Sequence, residues 1–304
     1  MGASVARLEW LLERKKGIGG SDIAAVCGLN RYRTPMDVWY DKISDVRDEE
    51  PNLAMKLGTY LEPLIVKEYE AMTGNKVVVN LDAIKHERYP FARCNLDGMV
   101  LAADGGKGVL EVKTAGSSRH WGAGEEEIPD EYYCQVQWNM LIAGLDWADV
   151  PVLFFDYGRR IEIYTIEADS DFQQFLVDKA EAFWEAVITE TMPDPRSSAE
   201  AEKAWPSHRE GVRQQVTQEL AETLEQLRAV KKKAKELKDT QTMLEGRVKI
   251  AMKDAERLVD GDRVLCTWKA SKTNRLDQTA LRERHPEIVK EFTKQTSSRR
   301  FLVK

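Results

Sequence analysis

The sequence predicts a mixed α/β (α+β) domain, a central mixed sheet flanked by helices, followed by a C-terminal extension built on one long helix. Three observations predict it. Helical periodicity fills most of residues 1–73 and returns over 129–143 and 169–190, with short β-rich runs between. A breaker-rich stretch, Met192-Pro193-Asp194-Pro195-Arg196-Ser197-Ser198, follows the last of these helices. Beyond it, apolar or small residues recur in steps of three and four from Leu220 to Leu258. These features divide the chain into a core over 1–195, a linker over 196–210 and an extension over 211–304.

Each element has its own signal. Residues 1–16 place Leu8, Leu11 and Leu12 on one helical face and end on Arg14, Lys15 and Lys16, until Gly17, Gly19 and Gly20 break the helix. Ser21 or Asp22 then caps a second helix over Ile23–Cys27. Asn30–Pro35 reads as a loop, and Thr34-Pro35 opens a third helix reaching Ile43. A longer helix over 53–73 stops at Gly74. Val77–Val79 begins a strand, Phe91–Leu101 reads as strand and turn, and Gly108–Lys113 is the next strand, with Asp104-Gly105-Gly106 as the hairpin turn between them. A helix over 129–143 precedes the strand pair Val150–Phe155 and Arg160–Ile166, and a further helix covers 169–190. The extension reads as a coiled-coil-type helix over 211–259, then strand, loop, short helix and strand to 304.

Composition sets outer limits. With 304 residues, 8 Trp, 9 Tyr and 8 Phe, the chain can build a substantial core, which argues against disorder throughout. No apolar run reaches the roughly 18 residues of a membrane span, which argues against a membrane protein. The net charge of −6 excludes a uniformly basic nucleic-acid coat. That figure averages two unlike parts. Residues 211–304 carry 22 Lys and Arg against 14 Asp and Glu, a net +8, which leaves −14 on the first 210. The basic extension, with Lys231-Lys232-Lys233 and Arg299-Arg300, suits three readings: an oligomer or partner contact, a DNA-backbone contact, or a helix folded on the core with a solvated face.

Cys27, Cys94, Cys134 and Cys266 form no CxxC pair, and His86, His120, His208 and His285 are scattered, so zinc and iron-sulfur sites find little support. Isolated cysteines suit a reducing compartment. The first ten residues carry neither a signal-peptide core nor a myristoylation pattern, and the expectation is a cytoplasmic protein.

The chemistry concentrates between residues 58 and 137. Asp97 closes one predicted strand, and Glu111-Val112-Lys113 lies in the next. Side chains two apart in a strand share a face, so Glu111 and Lys113 point together toward Asp97, while Val112 points into the core. Two converging carboxylates can hold Mg²⁺ through hard oxygen ligands. A neighbouring lysine can orient or help deprotonate a water for attack on a phosphate. The same three residues would also suit a solvated strand face.

Flanking words accompany this set. Gly17-Ile18-Gly19-Gly20-Ser21-Asp22-Ile23-Ala24 comes first, then Gly28-Leu29-Asn30-Arg31-Tyr32, Gly58 with Glu62-Pro63, Asn95-Leu96-Asp97-Gly98, Glu111-Val112-Lys113-Thr114, and Tyr132 with Gln135-Val136-Gln137. In this order, over about residues 5–190, they resemble the YqaJ-like viral recombinase family of lambda-exonuclease type. Leu96 stands where that family usually has Pro.

The resemblance implies a PD-(D/E)xK nuclease core that degrades linear double-stranded DNA from 5′ to 3′, releases 5′-mononucleotides and leaves 3′ single strands. It implies Mg²⁺, with Mn²⁺ as a substitute, held by Asp97, Glu111, Glu62 and the Val112 backbone carbonyl. Lys113 would assist the attacking water and Gln135 would hold the site from the following helix. Arg14 and Ser21 resemble contacts to a 5′-phosphate, and Tyr132 is a candidate DNA contact. A helix start preceded by glycines is itself an anion site, so a capping Ser21 and a phosphate-binding Ser21 are compatible. Trp121 reads better as a partly buried loop aromatic than as a base-stacking residue. The resemblance further implies a homo-oligomer, a trimer in the well-studied relative, a single-strand annealing recombinase as partner, and a phage or prophage origin in a bacterial host. An endonuclease or single-strand nuclease on the same core, and a non-catalytic DNA-binding or assembly protein, remain alternatives.

Overall fold

A computed structural model of the chain describes residues 5–46, 52–122, 127–156, 158–294 and 298–303. The chain divides into two compact units, Met1–Glu200 and Ala201–Lys304.

The first unit begins with α1 (Val5–Lys15), α2 (Gly20–Val26), α3 (Pro35–Ile43) and α4 (Leu53–Thr73). Residues 1–4 of the predicted first helix lie outside the described residues. Thr34 and Asp37 form a reciprocal capping box at the start of α3, and Gly74 ends α4 at φ 75°. Helix α2 departs from expectation. It starts at Gly20, its N-cap is Gly19, and no side chain caps it. Ser21 and Asp22 therefore lie inside the first turn, and their side chains are free for other partners.

Strands β1 (Lys76–Val78), β2 (Ile84–Lys85), β3 (Arg93–Cys94), β4 (Gly98–Leu101), β5 (Lys107–Leu110) and β6 (Lys113–Ala115) follow. Then come α5 (Asp130–Ala143), β7 (Trp147–Phe154), β8 (Arg160–Glu167), α6 (Ser170–Ile188) and α7 (Ser198–Ala204). β1, β4 and β5 pair antiparallel in that order, β5 and β6 both pair parallel with β7, and β8 pairs antiparallel with β7. A strand has only two edges, so β5 and β6 share one edge of β7. Their registers agree: Leu110 faces Asp149 and Lys113 faces Val152. They are one strand interrupted at Glu111 and Val112. The predicted unbroken strand is thus corrected, and the cause is local. In this register Val112 lies across from Pro151, which has no N–H to give to the ladder.

The sheet is covered on both faces. One side buries Val109, Ala148, Val150 and Val152 against α2, α5 and α6, with Trp138 fully buried among them. The other side buries Leu110 and Val100 against Tyr69 of α4, and Val112 packs into this second cluster. The predicted inward orientation of Val112 follows from that packing. Cys94 and Cys134 are buried free thiols.

In the second unit the long helix α8 spans Gln218–Met252, shorter than the predicted 211–259. Thr217 caps its N-terminus through the Leu220 amide. Past Met252 the chain forms the hairpin β9 (Arg257–Asp260) and β10 (Arg263–Thr267), then α9 (Gln278–Arg284) and α10 (Pro286–Phe292). The predicted final strand is absent among the described residues. No helix of the described residues is long and apolar enough to cross a membrane.

Candidate active site

The site forms where β4 and β5 part. Gly98 pairs with Leu110 as the last rung of that ladder. The next register position sets Asp97 across from Glu111, so Asp97 precedes β4 rather than ending a strand. With the ladder open there, Asp97 Oδ2 accepts the Val112 amide at 2.8 Å. The carboxylate takes the place of a strand carbonyl and is fixed by the backbone.

Glu111 is 2% exposed. Its Oε1 accepts from Lys113 Nζ, and from Gln135 Nε2 at 2.5 Å. Its Oε2 accepts from Asn139 Nδ2 at 2.9 Å. Gln135 Oε1 in turn receives Lys113 Nζ at 3.3 Å. Four side chains thus close one network between the broken strand and α5. Asn139 escapes a motif-based reading, yet its signal was present: it lies four residues after Gln135, on the same face of a helix. Gly20 makes the approach possible, because a Cβ there would meet Asn139 Oδ1 at 2.4 Å.

The electrostatics follow from burial. Desolvation pushes the Glu111 carboxyl up to about 7, with Lys113 opposing the rise and Asp97 adding to it. Asp97 is raised by burial against the pull of Lys113 and the Val112 amide. Glu62, half-buried on α4, is raised by burial and then by Asp97. Burial alone would lower Lys113, but Glu111 and Asp97 outweigh it and hold its ammonium above the ordinary lysine range.

The structure therefore joins Glu111, Lys113 and Gln135 in one network, fixes Asp97 beside it on the Val112 amide, and sets Glu62 within the field of Asp97 and Lys113. Among the described residues no three His, Cys, Asp or Glu side chains are gathered as a metal-ligand cluster. Both Glu111 oxygens are engaged by the network instead. The donor chemistry still fits a divalent oxygen-seeking cation. Three carboxyl groups are held above their ordinary range by burial, with Asp97 adding to the rise of Glu62 and Glu111, which is an excess of negative charge that such a cation relieves.

Tyr132 stacks on Trp121 with ring centroids 5.3 Å apart, and Lys113 Nζ lies 5.1 Å from the Tyr132 centroid. Trp121 also packs edge-on against Phe154. The pair walls the site as packed aromatics, in keeping with the reading of Trp121 as a partly buried loop residue.

Arg14 and Ser21 meet as anticipated: Arg14 Nη2 donates to Ser21 Oγ at 3.3 Å. A buried brace stands behind them. Lys42 Nζ donates to the Arg14 carbonyl at 2.9 Å and to Asp22 Oδ2 at 2.7 Å, and Arg33 Nη1 donates to Asp22 Oδ1 at 2.8 Å. A cavity of about 270 Å³ joins the two regions, lined by Arg14, Ser21, Lys85, Arg93, Gln135 and Asn139 among others. Gln135 and Asn139 form part of its wall and also hold Glu111.

A model of the YqaJ-like viral recombinase domain matches residues 9–146. The uncharacterized protein YqaJ of Bacillus subtilis (strain 168) is 31% identical over 310 residues, spanning 99% of this chain and 95% of the relative. The chain belongs to the YqaJ family. Among solved structures, that of LHK-Exo in complex with dAMP matches the YqaJ-family chain at TM-score 0.50 and 23% identity, over 60% of this chain and 93% of that one. The alkaline exonuclease LHK-Exo from Laribacter hongkongensis matches at TM-score 0.48 and 22% identity, over the same 60% and 93%. The fold of this YqaJ-family chain is that of the PD-(D/E)xK phage-type exonucleases. The model that matches it describes a viral recombinase domain.

Proposed function

We propose that the protein is a metal-dependent exonuclease that degrades linear double-stranded DNA from 5′ to 3′, releasing 5′-mononucleotides and leaving 3′ single-stranded ends. One observation carries the reading. Lys113 is held by Glu111 and Gln135 beside Asp97, and the wall of that network opens onto the cavity containing Arg14 and Ser21. Gln135 and Asn139 thus stand between a nucleophile-orienting cation and an anion-binding pair.

The terminal 5′-phosphate would rest between Arg14 and Ser21, and the next phosphodiester would face Lys113. Lys113, kept as an ammonium, would orient the attacking water and offset charge gathering on the phosphate oxygens. Glu111 would hold Lys113 Nζ at Oε1, while Gln135 and Asn139 fix Glu111 in turn. Breakage of the P–O3′ bond would release a 5′-mononucleotide and leave a fresh 5′-phosphate on the shortened strand. Mg²⁺ or Mn²⁺, held by Asp97, Glu111, Glu62 and the Val112 carbonyl, would supply Lewis-acid stabilisation of the phosphate charge. Tyr132 would bound the site on the DNA side. The resemblance extends the proposal to a homotrimer and a strand-annealing partner in a bacterial cytoplasm. Light scattering after size exclusion tests the first of these.

The functional test is digestion of 5′-phosphorylated linear duplex beside closed circular and single-stranded DNA, with Mg²⁺ and with EDTA. The proposal expects loss of linear duplex alone, and only with the metal. Cutting of closed circles would point instead to an endonuclease. An intact linear duplex would overturn the proposal.

A further inference from the structure

The cavity beside the active site holds more positive charge than Arg14 supplies, and one of its cations is incompletely satisfied. Arg93 lines it from β3, with its side chain 17% exposed. Its Nη1 donates to Glu13 Oε2 at 2.9 Å and to the Glu13 carbonyl at 3.2 Å, while its buried Nε has no partner. That Nε is itself buried, so an incoming ligand would reach the guanidinium at Nη1, whose two bonds both go to Glu13. The chain makes room for this arginine: a Cβ on Gly17 would lie 2.7 Å from Arg93 Nε. Lys85 Nζ stands 3.8 Å from Glu13 Oε2 on the same wall. Glu13, itself 49% exposed, thus faces Lys85 and Arg93, and Lys16 bonds its other oxygen.

One carboxylate oxygen facing a guanidinium and an ammonium in the cavity wall stands where an oxygen of a phosphate could stand. We propose that Arg93 is a further phosphate-binding residue of this cavity, and that Glu13 is an internal counter-charge which a nucleotide 5′-phosphate displaces from Arg93 and Lys85. The inference rests on the proposed function, since it extends the same cavity, and it adds residues that the family words do not contain. Arg93 meets an incoming phosphate through its planar fork, and Glu13 turns outward toward Lys16. Glu13 then sets how tightly the released mononucleotide is held. It keeps the cations ordered when the cavity is free and competes with the product for them.

Calorimetric titration with 5′-deoxyadenosine monophosphate in EDTA, beside deoxyadenosine, tests this with no need of catalysis. Wild type is expected to bind the nucleotide and not the nucleoside. Arg93→Gln is expected to weaken nucleotide binding about 10-fold or more. Glu13→Gln is expected to tighten it about 3-fold. If Arg93→Gln fails to fold, Arg93→Lys replaces it. That change keeps the charge but loses the fork, and it is expected to weaken binding about 3-fold. Binding of the nucleoside as tight as the nucleotide, an arginine variant equal to wild type, or weaker binding by Glu13→Gln would overturn the inference. Should the wild type bind the nucleotide as described yet leave linear duplex intact, the nuclease reading fails and the phosphate site stands. Digestion of duplex by a wild type that binds no nucleotide has the opposite meaning.

Discussion

Gln135 Nε2 lies 2.5 Å from Glu111 Oε1, the same oxygen that receives the Lys113 ammonium. A helix and an interrupted strand thereby share one buried oxygen, and the position of Lys113 depends on both. Asn139 completes the arrangement on the opposite oxygen.

Asn139→Leu follows from that geometry. The substitution leaves Glu111 Oε2 without its donor at a buried position, at a cost of about 1–3 kcal/mol in denaturant unfolding. The Asn139 bond favours the ionised carboxylate, so its loss raises the Glu111 pKa further. The acid limb of the pH–rate profile should move to higher pH. An unmoved limb would mean that Glu111 is not the group that ionises there.

Metal stabilisation should grow with pH. The Glu111 carboxyl goes from an ordinary 4.5 to about 7 in the fold. A carboxyl with a raised folded pKa contributes stability that is full below its unfolded pKa and is lost as pH rises through the folded one. Asp97 and Glu62 shift in the same direction. In EDTA, Glu111 therefore weakens the fold as pH rises from about 4.5 to about 7, and Asp97 and Glu62 act in the same direction. Mg²⁺ competes with their protons, so its effect on Tm should be larger near roughly pH 8 than near roughly pH 5. A Tm shift independent of pH would separate the cation from these carboxylates.

Asp22→Asn should be among the most damaging single changes in the first unit. Desolvation alone would raise the Asp22 pKa, but Lys42 and Arg33 overcome it and hold the carboxyl below its usual range. The Asp22 and Lys42 side chains are each 1% exposed, so the change strands a buried ammonium at a cost of about 3–5 kcal/mol. Asp22 has a depressed pKa. Its stabilisation is thus present above the unfolded carboxyl pKa and lost as pH falls through the folded value. Urea unfolding at neutral and acid pH should show the wild-type and Asn curves converging in acid.

The sequence order was enough to assemble much of the site. Asp97, Glu111, Lys113 and Gln135 meet because a hairpin and the following helix keep them close along the chain. Arg14 and Ser21 meet because they flank one glycine turn. The break in the strand at Glu111 was not legible, since its cause, Pro151, lies on a strand forty residues later that becomes a neighbour only in the folded sheet. Arg93 and Lys85 were hidden for the same reason. Each is an ordinary surface cation in sequence, and only the chain crossing at Gly17 sets them beside Glu13. The long helix was overextended because periodicity continues past Met252, where the hairpin takes over.

Lys113, held by Glu111, is proposed to orient the attacking water. The most direct measurement is single-turnover digestion of 5′-phosphorylated linear duplex in Mg²⁺ by wild type and by Lys113→Ala. Removal of this one ammonium should slow strand loss by about 10²–10⁴-fold in protein that circular dichroism shows to be folded. A Lys113→Ala protein that digests the duplex at the wild-type rate would contradict the account.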